Sequence, residues 1–400
     1  MDRIENSDEL LCGIGDVDDN GLAAAVGHQD EIMNPSLKKI QVAGFRSLRE
    51  VSLDLRPITV LIGPNGAGKS NLLWTLEMVR HLAFESLQLF VSERGGASYL
   101  MHYGPKVTPA IDLSLEFVTD KGENAYHARL GYGSDESLLF LSERASFRSR
   151  PEEDWRITDL GAGHRESKLR EAAEKNITAK TVRWLLRQLN FYHFHDTSRR
   201  SPLRTRSYAD PSGNFLRSDG SNLPSFLLGL RESDAESAQA SWRRIEGTIR
   251  LIAPFIKQLL PSEDRQSIKL EWVDDKGSTL GPAHLSDGTL RALALVSALS
   301  QPESTMPVLS CIDEPELGLH PAALILLCGL ISSVSTRHQV IVSTQSPVLL
   351  DQFEPEDIVV AERHSAETKF NRLDPIALAG WLEDYTLAQL YDKNILGGRP

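Results

Sequence analysis

The chain has 400 residues, of which 24% are charged and 41% hydrophobic, a composition that allows a packed core and argues against wholesale disorder. The net charge of −12 is concentrated at the start, where residues 1–36 hold nine acidic residues and one basic residue. We therefore expect an acidic, poorly ordered leader over 1–36 followed by a nearly neutral body. Overall charge neither supports nor excludes a nucleic-acid partner.

Cysteine usage and hydropathy point to a cytoplasmic protein. The three cysteines, Cys12, Cys311 and Cys328, form no framework of disulfide spacings, which indicates a reducing compartment. The apolar stretch 323–334 is too short to cross a bilayer, and the acidic first residues do not resemble a secretory signal. We predict no membrane segment.

The predicted elements of residues 37–145 are strands and one helix, assigned from alternation and helical spacing of the apolar residues. A strand, a glycine-rich loop and a helix follow one another without interruption in this region. The strands are predicted over 37–45, 49–56, 58–63, 111–119, 124–133 and 137–145, and the helix over 70–83.

The middle of the chain, 146–265, reads as an inserted helical and irregular lobe. Its first part, 146–175, is polar, and an arginine-rich loop spans 198–215. Helices are predicted over 178–189, 222–231 and 234–260, and a strand over 190–196.

From 266 to 400 strands again alternate with helices, which indicates an α/β fold with a mixed sheet on both sides of the insertion. Strands are predicted over 267–274, 308–312, 339–344 and 357–363, and helices after Ser286, from Pro321 and at the end of the chain.

The stretch GPNGAGKS matches G-x-x-x-x-G-K-[ST] between a predicted strand and a predicted helix. Its backbone N–H groups would cradle phosphate oxygens, Lys69 would reach the β- and γ-phosphates, and the Ser70 hydroxyl would bind Mg²⁺. A chance match is about a 1% event at average composition, so a plain glycine turn is the weaker alternative. The predicted nucleotide-binding residues here are Gly63, Pro64, Asn65, Gly66, Ala67, Gly68, Lys69, Ser70 and Asn71.

Two adjacent carboxylates, Asp313 and Glu314, end the apolar run VLSCI. Such a pair is typical of a Walker B site, in which Asp313 would orient the shell of the Mg²⁺ ion and Glu314 would act as general base on the attacking water. The alternative is that Glu314 caps the following helix or forms a surface ion pair.

Two further motifs fit a nucleotide site. LSDGTL, with Ser286 and Gly288 before an apolar helix, resembles the LSGGE signature of ABC-type ATPases, although alone Ser286 would read as an ordinary helix N-cap. Gln345 follows the strand 339–344 at the switch position, where most ABC ATPases carry histidine; an amide can position a phosphate or a water but cannot take up charge.

In this order the four motifs resemble the ABC-type ATPases of the RecF/SMC/OLD group, and within it the compact RecF-like AAA family ATPases, from about Leu37 to Pro400. The resemblance implies a P-loop NTPase fold of the ABC/SMC head type, with ATPase lobes at 37–145 and 266–400, and ATP hydrolysis with Mg²⁺. It also implies a homodimer or higher oligomer that sandwiches two nucleotides, with Ser286 and Gly288 facing the P-loop of the other copy. Arg46 and Ser47 would lie near the base, 317–320 would match the D-loop, and Gln88 is a weak candidate for the Q-loop.

Two weaker features remain open. His193 and His195, two apart on a predicted strand with Asp196 adjacent, invite a metal site, although a structural role is favoured. A loop with four arginines is a candidate contact for nucleic-acid phosphates, with a solvated or partner-docking loop as the equal alternative. These arginines are Arg199, Arg200, Arg204 and Arg206.

Three functions suit such an ATPase. The first is DNA repair or genome maintenance, with DNA as a partner. The second is a sensor or scaffold subunit in anti-phage defence, acting with a separate effector protein such as a nuclease. The third, a transporter cassette, is least favoured because DEPELGLHP departs from the transporter spelling D-E-P-x-S-x-L-D.

Overall fold

The computed structural model describes residues 35–198, 200–205, 207–208, 215–265 and 267–398, which fall into two compact units. We call the first the P-loop unit; it comprises 35–190, 307–311 and 337–398. The signature unit comprises the described residues of Phe191–Met306 and Ile312–Thr336. The predicted acidic leader lies, up to residue 34, outside the described residues, and the lobe boundaries predicted from the sequence stay predictions.

One sheet of the P-loop unit is antiparallel and has the order β2-β1-β4-β5-β6-β7. The predicted hairpin at its start is confirmed, with Val42 opposite Val51 across β1 and β2. The strands are β1 (Ser36–Phe45), β2 (Leu48–Asp54), β4 (Ala110–Thr119), β5 (Gly122–Tyr132), β6 (Leu138–Arg148) and β7 (Arg156–Gly161).

The second sheet is mixed and has the order β16-β15-β3-β14-β13-β8. The central strand β3 is buried along its whole length and runs parallel to both β14 and β15, whereas β16 is antiparallel to β15. The carboxyl ends of β8 and β13 continue into the signature unit. The strands are β3 (Ile58–Ile62), β8 (Leu189–Tyr192), β13 (Leu309–Asp313), β14 (Gln339–Thr344), β15 (Ile358–His364) and β16 (Glu367–Arg372).

Eight helices of the P-loop unit are described. The first of them follows β3 directly, as predicted, and packs against the helix that precedes β8. The helices are α1 (Lys69–Ala83), α2 (Leu87–Glu93), α3 (Ala97–Leu100), α4 (Leu169–Ala173), α5 (Ile177–Arg187), α10 (Pro347–Leu350), α11 (Pro375–Leu382) and α12 (Leu387–Asp392).

The signature unit combines a small antiparallel sheet with four helices. Its strands are β9 (Ser207–Tyr208), β10 (Gln258–Asp264), β11 (Ser267–Val273) and β12 (Thr279–Leu280), and its helices are α6 (Leu223–Glu232), α7 (Glu236–Ile252), α8 (Asp287–Leu299) and α9 (Pro321–Ser335). Helix α8 is buried over its last ten residues, and α7, α8 and α9 pack against one another. No helix of the described residues is both long and apolar enough to span a bilayer.

The structure corrects three expectations. The polar segment 146–175, in which no strand was predicted, contains β7, an exposed edge strand that pairs with β6 and carries little apolar signal. The helix predicted over 234–260 ends at Ile252, since Pro254 disfavours helical backbone at the residue before it, and β10 follows. The strand predicted over 190–196 ends at Tyr192, so His193 and His195 are not strand residues.

Gln339, at the start of β14, ties the two sheets of the P-loop unit together. Its buried side chain accepts a hydrogen bond from the backbone N–H of Leu37 at 2.9 Å and donates to the carbonyls of Leu37 at 2.9 Å and Arg56 at 3.0 Å. One amide therefore satisfies backbone groups on both sides of the open end of the β1–β2 hairpin.

We expect Gln339→Ala to lower the free energy of unfolding by about 1–3 kcal/mol, because buried backbone groups lose their partner. Gln41→Ala, at an exposed position of β1, is the matched control and should change it by less than about 0.5 kcal/mol. Urea denaturation measures both; equal effects of the two substitutions would contradict the bridging role.

Candidate functional site

The loop Gly63–Ser70 joins the buried strand β3 to helix α1 in the P-loop unit. The Lys69 side chain is 5% exposed, and its ammonium donates to the carbonyls of Gly63 at 2.6 Å and Pro64 at 3.2 Å. Ser70, one residue later in the first turn of α1, is exposed. The loop thus encloses a cation and presents a hydroxyl at a helix N-terminus, which is an arrangement that suits a polyphosphate and its metal.

Two glycines of this loop have no substitute. A Cβ at Gly63 would lie 2.3 Å from the carbonyl oxygen of Ala361 on β15. Gly68, the residue before α1, has φ +103°, and a Cβ there would lie 1.9 Å from the hydroxyl of Thr368. Close backbone approach at the first position and left-handed backbone at the second both require glycine.

The glycine loop is supported by the hydroxyls of Thr368 and Ser47, of which Thr368 was not singled out in the sequence. Thr368, on β16, donates to the carbonyl of Ala67 at 2.8 Å and lies 2.6 Å from the Ser47 hydroxyl. The Asn71 amide in turn donates to Ser47 at 2.7 Å. The polar strand β16 gave no apolar signal by which this contact could have been found.

A cavity of about 300 Å³ opens beside Asn71. Arg46, predicted near the base, lines it and adopts a left-handed backbone with φ +50°. Its guanidinium lies 4.3 Å from the centroid of the Trp74 ring, and burial together with the nearby Arg94 lowers the pKa of Arg46. The cavity thus combines cationic, aromatic and hydroxyl groups; its lining residues are Arg46, Ser47, Asn71, Tyr99, Met101, His102, Tyr103, Arg363 and Ala366.

Gln345 lies at the same edge of the mixed sheet as the P-loop. Strand β14 runs parallel to β3 with Thr344 opposite Ile62, so the residues that follow the two strands emerge side by side. Gln345 is half-buried there. The strand register therefore brings Gln345 to the sheet edge that carries the glycine loop, and its role as the switch residue stays a prediction.

In the signature unit, Ser286 is the N-cap of α8, and its hydroxyl accepts a hydrogen bond from the N–H of Thr289 at 3.2 Å. A Cβ at Gly288 would lie 1.9 Å from the carbonyl oxygen of Gly318. The predicted signature and the predicted D-loop segment, 317–320, therefore meet by backbone contact at a pair of glycines.

Arg291, on α8, hydrogen-bonds to two backbone segments at once. Its side chain donates to the carbonyls of Phe194 at 2.8 Å and His195 at 3.0 Å, and also to that of Leu317. Burial lowers the pKa of Arg291, with Asp287 and Glu314 acting in the opposite direction. This residue, which the sequence reading passed over, fixes the positions of the functional segments around it.

The arginine-rich loop is only partly available for a partner. Arg204 donates to the carbonyls of Pro282 at 2.7 Å and Leu285 at 3.3 Å, and to the Asp287 carboxylate at 2.6 Å. It therefore supports the signature segment from inside the unit. Arg200 is exposed, whereas Arg199 and Arg206 lie outside the described residues.

Asp313 is the last residue of β13, and its side chain is 17% exposed. Glu314 follows in left-handed backbone with φ +46°, a conformation that costs a non-glycine residue about 1–3 kcal/mol and is concentrated at functional sites. The chain direction changes at Glu314, so the two carboxylates do not continue the alternation of the strand.

The chain is similar to known proteins in both sequence and structure. Residues 58–351 match the family described as "AAA domain, putative AbiEii toxin, Type IV TA system". The chain belongs to this AAA domain family. The match covers the P-loop, the signature, Asp313, Glu314 and Gln345, so every motif of the sequence reading lies within the family's extent.

A curated relative agrees with that assignment. The chain is 32% identical over 104 residues to the OLD nuclease of Thermus scotoductus, a match that covers 24% of this chain and 20% of the nuclease. The chain therefore spans about a fifth of the length of that curated relative. The predicted resemblance to the RecF/SMC/OLD group of ABC-type ATPases is confirmed.

Solved structures show the same fold. An Smc head bound to the C-terminal winged-helix domain of ScpA aligns with a TM-score of 0.57 at 15% identity, covering 86% of this chain and 99% of that one. An Smc head with an extended coiled coil from Pyrococcus furiosus, bound to the C-terminal domain of ScpA, aligns at 0.53 and 13% identity, covering 88% and 99%. The predicted ABC/SMC-type head fold is confirmed.

Gln88 does not suit the Q-loop role in this AAA domain protein. Its side-chain amide donates to the carbonyls of Leu138 at 3.0 Å and Arg165 at 2.7 Å, and it accepts from the N–H of Leu138 at 3.3 Å. These bonds fasten α2 to β6, so the amide has a structural function. The roles predicted for the other site residues stay predictions.

We expect Gly288→Ala to destabilise the signature unit by about 1–3 kcal/mol, because the new Cβ meets a carbonyl that only backbone movement can displace. Gly329→Ala, on the exposed face of α9 with open space around it, is the control and should stabilise by about 0.5–1 kcal/mol. Thermal unfolding gives the direction, and hydrogen exchange over 314–320 should rise only in Gly288→Ala. Unchanged exchange there would contradict the glycine contact.

Proposed function

We propose that the chain binds ATP with Mg²⁺ at the P-loop and hydrolyses it. The observation that carries this proposal is the Lys69 ammonium, nearly buried at the centre of the glycine loop and hydrogen-bonded to its carbonyls. A buried cation beside a helix N-terminus favours the phosphate chain of a nucleotide. The adjoining cavity, lined by Arg46 and aromatic side chains, suits the base and sugar.

The motif order assigns the hydrolytic roles within this proposal. Ser70 and Asp313 would hold Mg²⁺, whose charge supplies stabilisation of the transferring phosphoryl group. Glu314 would take the proton of the attacking water, and Gln345 would orient that water or the γ-phosphate by its amide. The fit of these residues rests on hard oxygen donors, which Mg²⁺ prefers.

We further propose that two copies form a nucleotide sandwich. Ser286 is exposed at the N-terminus of α8, where its hydroxyl and nearby backbone N–H groups suit an anion. Leu317, in the predicted D-loop, is 38% exposed although it is large and apolar. Both features support a surface that a second copy covers when nucleotide is bound.

Lys69→Ala should abolish nucleotide binding, because the loop loses the cation that meets the β- and γ-phosphates. Glu314→Gln should keep binding but lose turnover, and should accumulate as a dimer with ATP and Mg²⁺. Isothermal titration calorimetry, phosphate release and size-exclusion chromatography measure these outcomes. The matched controls are Lys106→Ala and Glu236→Gln, both at exposed positions. A Glu314→Gln protein that stays monomeric with ATP would contradict the sandwich.

For the process served by this ATPase, DNA repair or genome maintenance is the first candidate. Arg200 remains as an exposed cation in the arginine-rich loop. The second candidate is a sensor or scaffold in anti-phage defence with a separate effector. It gains support from the commitment of Arg204 to the signature segment, which reduces the cationic surface left for DNA.

ATP turnover with and without duplex and single-stranded DNA separates the two candidates. A DNA-linked enzyme should turn over several-fold faster with DNA, and binding should weaken with salt and in Arg200→Ala. Arg204→Ala should instead lower the melting temperature, because Arg204 supports the fold. Turnover that needs Glu314 but ignores DNA would favour the scaffold with a protein partner.

A further inference from the structure

Two histidines and one carboxylate converge in the signature unit. One ligand atom of each of His193, His195 and Asp313 lies within 4.8 Å of the other two. His195 Nε2 lies 3.8 Å from Asp313 Oδ2. Asp196, which the sequence placed beside the histidines, instead accepts a hydrogen bond from the N–H of Ser198 at 2.9 Å in a local turn.

The strand order explains why these residues meet. Strands β8 and β13 are neighbours in the mixed sheet, and His193 follows the last residue of β8 just as Asp313 ends β13. Phe194, which lies between the two histidines in sequence, is 3% exposed, whereas His193 is half-buried and His195 is exposed.

The backbone of the histidine pair is held in place. Arg291 donates to the carbonyls of Phe194 and His195, and the N–H of His193 donates to the carbonyl of Ser218 at 3.1 Å. A metal ligand set is effective only when its residues are positioned before the ion arrives. Ligands about 2.0–2.1 Å from a tetrahedral ion lie about 3.4 Å apart, and the ligand atoms of this cluster lie within 4.8 Å of one another before any ion is bound.

The chemistry of the donors selects the ion. Imidazole nitrogens suit Zn²⁺ and its first-row neighbours, whereas Mg²⁺ prefers oxygen ligands. His195 is 38% and Asp313 17% exposed, so solvent can reach the cluster and supply a fourth ligand. We propose that His193, His195 and Asp313 form a binding site for a divalent transition metal of the Zn²⁺ class.

This site has a consequence for the proposed ATPase. The motif order predicts that Asp313 binds the Mg²⁺ of the nucleotide. A transition metal bound by the histidines would use the same carboxylate. Zn²⁺ should then oppose turnover by competing for Asp313. That consequence rests on the proposed function, whereas metal binding does not.

The test is a Zn²⁺ titration of the 400-residue chain in Mg²⁺ buffer without nucleotide, with free zinc measured by a chelating dye. We expect one site per chain in the wild type, and affinity at least about tenfold weaker in His193→Ala and in His195→Gln. His284→Ala, at an exposed position of the same unit, is the matched control and should bind as the wild type does. Melting temperatures without metal should agree among the four proteins.

Equal zinc affinity in the wild type and in His195→Gln, or an equal loss in His284→Ala, would overturn the site and indicate adventitious binding to surface histidines. In the turnover assay, Zn²⁺ should inhibit the wild type and leave His195→Gln much less affected. Absence of any ATP turnover would remove the proposed function while the binding result stands by itself.

Discussion

The signature unit depends on the hydrogen bonds that the buried guanidinium of Arg291 donates to backbone carbonyls. A charged group in a protein interior is costly unless hydrogen bonds replace those it made with water. Arg291 meets that requirement with the carbonyls of Phe194, His195 and Leu317, which come from two different loops. Because those carbonyls have one shared donor, neither loop moves without exposing a buried charge. The same side chain therefore positions the histidine pair and the D-loop segment.

The P-loop unit follows the same rule with neutral groups. Thr368, Ser47 and Asn71 form a hydroxyl–amide chain behind the glycine loop, and Gly68 approaches it so closely that no side chain fits. Within the loop, the N–H of Ala67 donates to the carbonyl of Pro64 at 3.2 Å, and Lys69 donates to the carbonyls of Gly63 and Pro64. Thr368, from elsewhere in the unit, adds a side-chain hydrogen bond to the carbonyl of Ala67.

Much of this arrangement was legible in the sequence because it is local. The glycine spacing of 63–70, the apolar strands β3 and β14, and the Ser286 N-cap each depend on residues near one another in the chain. Helix α1 begins one residue before the predicted start, and the β1–β2 hairpin forms as predicted. The pairing of β14 with β3, which the sequence did not specify, places Gln345 at the sheet edge that carries the glycine loop.

What the sequence did not reveal is long-range and polar. Thr368 lies in ETKFNR, a strand whose composition resembles a loop, and its partner Ser47 is more than 300 residues away. In the sequence, Arg204 resembles a cation that faces solvent. In the structure it instead donates hydrogen bonds to the carbonyls of Pro282 and Leu285. Periodicity reports which face of an element is apolar, but it carries no information on which distant carbonyl a guanidinium will reach.

Asp313 shows how a single residue joins two kinds of chemistry. As the last residue of β13 it belongs to the motif for which Mg²⁺ is predicted. Because β8 is the neighbour of β13 in the sheet, the Asp313 carboxylate also lies 3.8 Å from His195 Nε2. The left-handed backbone at Glu314 ends the strand abruptly, so the carboxylate of Asp313 stands at the point where the chain turns. Oxygen ligands and imidazoles favour different ions, so in the two proposed sites the ion would depend on the ligand set that Asp313 joins. The Mg²⁺ site proposed from the motif order and the metal site proposed on the histidines would therefore compete for one carboxylate.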